Sequence, residues 1–275
     1  MFMRPLLVRA SYSPWLRGLY GRVRTAAVLG GIMQKAVGHV LPHGSRAWVR
    51  LRAGLGKGLW LNIDPRYEDT YCTGNYEPLV QKVLSDGLKQ GSTFYEIGAH
   101  IGFFSLIAAR LVGKDGAVFA FEAEPENARR IQEHAKRNGL TQVQVFPIAL
   151  WSRCGSLRFE RASQFSSRNT GAVVETAAPM TSAETMEVKA ITLDTFVENH
   201  RPPTMVKIDV EGGESEVLKG AARVFAEVKP LLVCEVHHEQ AAQSIQAELR
   251  RIGYSLEWLT GEPRLPRHLL ARPSR

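Results

Sequence analysis

The residues best suited to do chemistry fall at three points in the chain. The first is Glu96-Ile97-Gly98-Ala99-His100-Ile101-Gly102, where a carboxylate ends an apolar run and small residues let the backbone turn tightly against a ligand. Dinucleotide binders also place glycines at a first strand-to-helix turn, but their G-x-G-x-x-G spacing is absent here. An acid before the turn would repel a pyrophosphate, whereas it can receive the amino group of a cationic ligand. The second point is Glu122, 26 residues after Glu96, where a carboxylate can accept both hydroxyls of a ribose. Ligands in open α/β sheets sit outside the carboxyl ends of the strands, so two acids ending consecutive strands would flank one crevice. Together they imply a nucleoside-containing ligand. The third point is Asp209 and Glu211, joined further on by Glu235, His237 and His238. These groups could take a proton from an acceptor. Carboxylates beside histidine could instead hold a divalent cation, although no spacing diagnostic of a metal is present. Asp209 and His237 are the first catalytic candidates, with Glu211 beside them; His238 reads as an exposed first-turn residue and Glu214 as a favourable acid at a helix N-terminus.

Bringing these groups to one crevice requires a sheet, and the sequence carries its pattern. From residue 92 onward short β-rich apolar runs alternate with helical periods, as in a parallel sheet covered by helices on both faces. Strands are expected at 93–97, 117–122, 143–146, 205–210, 230–236 and 254–259, and helices at 102–111, 125–138, 214–225 and 238–252. The helix at 125–138 has Pro125 in its first turn, Ala128, Ile131 and Ala135 on one face, and Gly139 as its stop. Residues 47–63 alternate around Gly54, Gly56 and Gly58, which predicts an antiparallel hairpin. The stretch 152–190 opens with a hairpin arm at 156–160 and turns polar over 162–184, the profile of a substrate-covering loop. Residues 263–275, rich in Arg and Pro, are expected to form a poorly ordered basic tail.

The motifs in combination resemble one family. Glu96 to Gly102, then Phe121-Glu122-Ala123-Glu124-Pro125-Glu126-Asn127, then Val206-Lys207-Ile208-Asp209-Val210-Glu211-Gly212-Gly213-Glu214 with Val217-Leu218-Lys219-Gly220-Ala221 look like the FkbM family of S-adenosylmethionine (SAM)-dependent methyltransferases. Gly74-Asn75-Tyr76-Glu77-Pro78, Ile191-Thr192-Leu193-Asp194 and Cys234-Glu235-Val236-His237 extend the resemblance over residues 67–259. It implies a class I methyltransferase fold, Rossmann-like, with a seven-stranded, mostly parallel sheet whose last strand is antiparallel and with helices on both faces. It also implies methyl transfer, commonly to a hydroxyl of a sugar or polyketide. Carried over by position, Glu96, Gly98, Ala99, His100 and Gly102 would shape the methionine end of the cofactor site and Glu122 would hold the ribose, with Ala149 and Asp209 also lining it. The family more usually has Asp where Glu96 stands and Asn where His100 stands, so a longer acid and an imidazole must be accommodated here.

Composition bounds the rest. The chain has 275 residues, 44% hydrophobic and 23% charged, with no apolar stretch long enough to span a bilayer. Its net charge of +8 is concentrated at the front, because ten Lys or Arg precede Asp64, the first acid. Residues 1–45 therefore read as a basic extension, helical or in hairpin form where it meets residues 46–262, the methyltransferase domain. Such an extension suits an anionic partner such as a membrane surface, or simply solubilises the chain. The apolar run 26–33 is too short for a secretory signal and fits an amphipathic helix lying on the catalytic domain or a membrane interface. Three widely spaced cysteines, Cys72, Cys154 and Cys234, indicate neither a disulfide framework nor a zinc site and suit a reducing cytoplasm. The sequence thus points to a cytoplasmic O-methyltransferase acting on a sugar, glycan or glycolipid precursor, with membrane contact through its basic front. A nucleic-acid methyltransferase or a catalytically inactive Rossmann-like binding protein are the alternatives.

Overall fold

The computed structural model describes residues 46–64, 68–161, 171–174, 185–261 and 264–274. The basic extension 1–45 and the segments 162–170 and 175–184 of the expected substrate loop lie outside them. The chain forms two units, Met1–Tyr76 and Glu77–Arg275. In the first, β1 (Ala47–Arg50) and β2 (Trp60–Ile63) pair antiparallel with Ala47 opposite Ile63, as the alternation predicts. Leu51, Leu59, Leu61 and Ile63 are buried there.

The second unit begins with α1 (Pro78–Gly87) and then alternates: β3 (Thr93–Ile97), α2 (Phe103–Val112), β4 (Ala117–Phe121), α3 (Pro125–Asn138) and β5 (Val143–Phe146). After an excursion come α4 (Leu193–Val197), β10 (Met205–Ile208), α5 (Glu214–Lys219), β11 (Leu231–Val236), α6 (Glu239–Arg251), β12 (Tyr254–Trp258) and β13 (Arg267–Pro273). Seven of these strands form one sheet in the order β12-β13-β11-β10-β3-β4-β5. All run parallel except β13, which pairs antiparallel with both β11 and β12. The chain builds outward from β3 through β4 and β5, then returns to place β10 on the other side of β3. That reversal opens the ligand crevice between β3 and β10.

Strand alternation sorts the two faces. Tyr95, Ile97, Phe119, Phe121, Val206, Ile208, Leu232, Cys234, Leu269 and Ala271 point to one face and form the main core with residues of α4, α5 and α6. On the other face Ala120 packs against Ile131 of α3, and Lys207 lies over the Phe104 ring of α2. α3 keeps its predicted limits because its ends are chemically marked. The Glu124 carboxylate accepts from the Glu126 amide, Pro125 opens the first turn, and Gly139 closes the helix at φ 67°.

Three expectations are corrected. The tail beyond 262 is not poorly ordered through its length: Arg267–Pro273 is β13, buried between β11 and β12 with Leu269, Leu270 and Ala271 fully covered. Its two neighbours supply the partners that a basic, proline-ended segment does not advertise. The helix expected over 214–225 is interrupted after Lys219 at Gly220, where a Cβ would sit 1.9 Å from the Trp151 carbonyl oxygen, and a π-helical turn follows at Val224–Val228. The excursion after β5 is more than a loop. β6 (Ala149–Leu150), β7 (Gly155–Arg161), β8 (Gly171–Val174) and β9 (Thr185–Ile191) make a second sheet in the order β6-β9-β7-β8, with its own core of Trp151, Leu157, Phe159 and Val188.

Candidate active site

The turn after β3 is shaped by close backbone contacts. Gly98 and Ala99 both donate to the Phe121 carbonyl at 3.0 Å, and Asp209 donates to the Ile97 carbonyl at 2.9 Å. Gly98 has φ 81°, and a Cβ there would fall 1.7 Å from the Asp209 carbonyl oxygen, so no other residue fits. His100 takes φ 50°, a left-handed conformation that His and Asn enter more readily than most residues. From it the His100 amide donates to Glu122 Oε2 at 2.7 Å, while the Glu124 amide donates to Oε1 at 2.8 Å. The role of this position in the turn is thus carried by its backbone. Gly102 caps α2 against the Ile131 side chain.

The two predicted cofactor acids are both buried. Glu96 accepts from the Ser105 hydroxyl, and burial raises its carboxyl to about 7 despite the opposing pull of Lys207. Burial likewise lifts Glu122 to about 8, against the two amides that favour its ionised form. A carboxylate offers about four lone-pair sites; the amides of His100 and Glu124 occupy one on each oxygen, which leaves sites for a diol. Ala149 is buried in the core of the second sheet, and Ala123, the neighbour of Glu122 in the chain, packs against that core.

Asp209, Glu211, Glu235 and His237 do converge at the ends of β10 and β11. Lys207, for which sequence alone offers no role, explains part of the convergence. It sits opposite Glu96 in the β3–β10 register, points to the same face, and places Nζ 2.8 Å from Asp209 Oδ2. Burial disfavours the charges of both groups, but their attraction prevails: Asp209 is held below the usual carboxylate range and the Lys207 ammonium is reinforced. His237 is bracketed by two acids, with Nδ1 2.8 Å from Glu214 Oε1 and Nε2 3.3 Å from Glu211 Oε2. Glu214, expected to be a helix-end acid, is fully buried and also accepts from the Gly212 amide at 2.7 Å. Burial works against a charge on His237, yet these carboxylates keep it protonated above its ordinary range. Glu235 is pushed up by burial and by Asp209. Sequence reasoning passed over two further members of the cluster, Glu77 and His268. Glu77 stood in a quoted motif without a role, and His268 lay in the supposed tail.

Compared with known proteins, residues 96–256 match the methyltransferase FkbM domain. The chain belongs to the FkbM methyltransferase family. As an FkbM protein it is a SAM-dependent methyltransferase, and the family resemblance read from its motifs is borne out. It is 30% identical over 207 residues to the hexuronic acid methyltransferase AglP of Haloferax volcanii, a match covering 70% of this chain and 80% of that one. A shorter match, 38% identical over 58 residues, is to a protein-L-isoaspartate O-methyltransferase of Methanococcus aeolicus, covering 21% of this chain and 27% of the other. Among solved structures, an FkbM methyltransferase from Methylobacillus flagellatus is similar with a TM-score of 0.49 and 19% identity, over 66% of this chain and 44% of that one. Among the described residues no helix is long and apolar enough to cross a membrane.

Proposed function

We propose that this FkbM enzyme methylates a hydroxyl of a sugar, glycan or glycolipid precursor, with His237 as the proton acceptor. The observation that carries the reading is the Glu214–His237 pair beside the β3–β10 crevice. Its Nδ1 is fixed on a fully buried carboxylate, so Nε2 is the nitrogen left to meet an acceptor. Glu96, Gly98, Ala99, His100 and Gly102 would hold the amino-acid end of SAM, Glu122 its ribose, and Ala149 and Asp209 further parts of the same site. When bound, SAM supplies a methyl group already activated by its sulfonium. The protein's own work is then to align the acceptor oxygen and remove its proton.

The resting imidazolium lies between Glu211 and Glu214, and it must first release its Nε2 proton to solvent water before it can act. An acceptor hydroxyl entering at Nε2 displaces Glu211 from that nitrogen. The neutral imidazole takes the hydroxyl proton, and Glu214 stabilises the imidazolium that results. Asp209, kept ionised by Lys207, gives the crevice a fixed negative wall.

The AglP match supports a sugar acceptor. Nucleic acid is disfavoured, because Asp209, Glu211 and Glu235 would repel a phosphate backbone. On charge alone, residues 1–45 suit contact with an anionic membrane surface, and three free cysteines suit a cytoplasmic setting. The test is transfer from labelled SAM to a panel of neutral sugars, uronic acids and lipid-linked sugars. An alkali-stable methyl ether, lost in His237→Gln with SAM affinity retained, is expected. An alkali-labile methyl ester formed equally well by His237→Gln would refute the base and move the acceptor to a carboxylate, which needs no deprotonation. SAM binding by the wild type without transfer to any acceptor would favour the inactive-scaffold alternative.

A further inference from the structure

Beside the catalytic pair lies a second constellation that proton transfer does not use. His268 on β13 stands directly opposite Glu235 on β11 in the sheet register. Glu77, at the start of α1, completes the group from a strained position. It has φ 43° and ψ 67° immediately before Pro78, where an extended backbone is the rule. Glu77 Oε2 lies 3.2 Å and Glu235 Oε2 3.8 Å from His268 Nε2. One ligand atom from each of the three residues falls within 4.8 Å of the others.

Two of these atoms are left unsatisfied. Glu77 Oε2 and His268 Nε2 are both buried; they face each other as an ion pair at 3.2 Å, and neither makes an aligned hydrogen bond. Buried polar atoms without partners are rare and call for an explanation. The neighbouring ammonium of Lys207 donates to Asp209 and makes no hydrogen bond to either atom. A cation seated between the three ligand atoms would satisfy both of these atoms at once and offset two partly buried carboxylates.

We propose that Glu77, Glu235 and His268 form a binding site for a first-row divalent cation such as Mn²⁺. The mixed oxygen and nitrogen donors favour such an ion over Mg²⁺ or Ca²⁺, which prefer oxygen alone. Three protein ligands leave coordination positions open, and an acceptor oxygen can take one of them. There the ion would lower the pKa of the acceptor hydroxyl and hold it for His237. This role rests on the O-methylation reading, whereas binding of the ion does not.

The experiment is titration of the purified, chelator-treated full-length protein with Mn²⁺ alone, followed by electron paramagnetic resonance. One ion per chain is expected, with a single imidazole nitrogen coupled to it. Removing one of the three ligands in His268→Gln or Glu77→Gln should weaken binding about tenfold or more, with SAM affinity unchanged as the check on folding. His237→Gln should keep both the ion and the nitrogen coupling. Absence of binding to the wild type overturns the proposal, as does equal affinity in both ligand variants. Loss of the nitrogen signal in His237→Gln alone also overturns it and moves the ion to Asp209, Glu235 and His237. If Mn²⁺ binds as expected but no sugar hydroxyl is methylated, the site stands and the acceptor reading falls. If a sugar hydroxyl is methylated without Mn²⁺ binding, the reverse holds.

Discussion

Cofactor binding should release a proton, and Glu122 is the main source. Its carboxyl is raised to about 8 by burial first, with Glu124 and Glu96 adding repulsion against the two amides that favour ionisation. At pH 7 such a group is about 90% protonated. A ribose diol donating to the vacant lone pairs favours the carboxylate, so binding must first ionise it. That costs about 1.4 kcal/mol at pH 7, one pK unit. SAM affinity should therefore rise about tenfold between pH 7 and pH 9, and calorimetry at pH 7 in buffers of different ionisation enthalpy should show about 0.9 proton released. Glu96, raised to about 7, would add a smaller share if the amino group of SAM also favours its ionised form. In Glu122→Gln the larger share should vanish and affinity should fall. The unliganded protein should show the opposite trend. A carboxyl raised on folding binds more protons in the native state than in the unfolded chain, so its contribution is present below the ordinary carboxylate pKa and is lost as pH climbs through about 8. Binding without proton release at pH 7, or an unchanged pH profile in Glu122→Gln, would show that Glu122 does not meet the ribose as a carboxylate.

Other perturbations test neighbouring parts. Lys207→Met should destabilise the protein by about 3 kcal/mol in urea unfolding, because it takes from the partly buried Asp209 its nearest counter-ion; a change below about 1 kcal/mol would mean the pair adds little. Gly98→Ala should abolish SAM binding and lower the melting temperature, since its Cβ would overlap the Asp209 carbonyl oxygen; near-native binding would show that the turn can shift at little cost. Glu214→Gln should lower kcat by about 10²-fold or more with KM for SAM preserved, and an equal rise in KM would mark Glu214 as a purely structural acid. Deleting residues 1–45 should weaken association with anionic vesicles and leave SAM affinity unchanged; lost SAM binding would make that segment part of the fold.

Much of this was legible in the sequence where local signals and tertiary demands agree. The helix at 125–138 and the strands at 93–97 and 143–146 appear with their predicted limits, because caps, proline and apolar periodicity all point the same way. β9 was missed although Met186, Val188 and Ala190 alternate with polar residues, since the polar stretch before it obscured the pattern. β13 depends on β11 and β12 for its identity, and Arg267, His268, Arg272 and Pro273 conceal the apolar residues between them. The same limit applies to the site. Glu96, Glu122 and Asp209 were readable because each ends a strand, and such ends meet in this fold. Lys207 and His268 were not, because their meaning lies in partners about 111 and 33 residues distant.

The pairing of Lys207 with Glu96 across β10 and β3 has a consequence for assembly. Sliding β10 by one residue against β3 would turn Lys207 into the apolar core on the other face and carry Val206 and Ile208 toward the acids. Each misaligned sheet would therefore bury a bare ammonium and leave carboxylates without their cation. The charged row works as a registration mark: the side chains that make the crevice reactive are also those that let the folding chain recognise a correctly aligned sheet. Variation that relaxes one would erode the other.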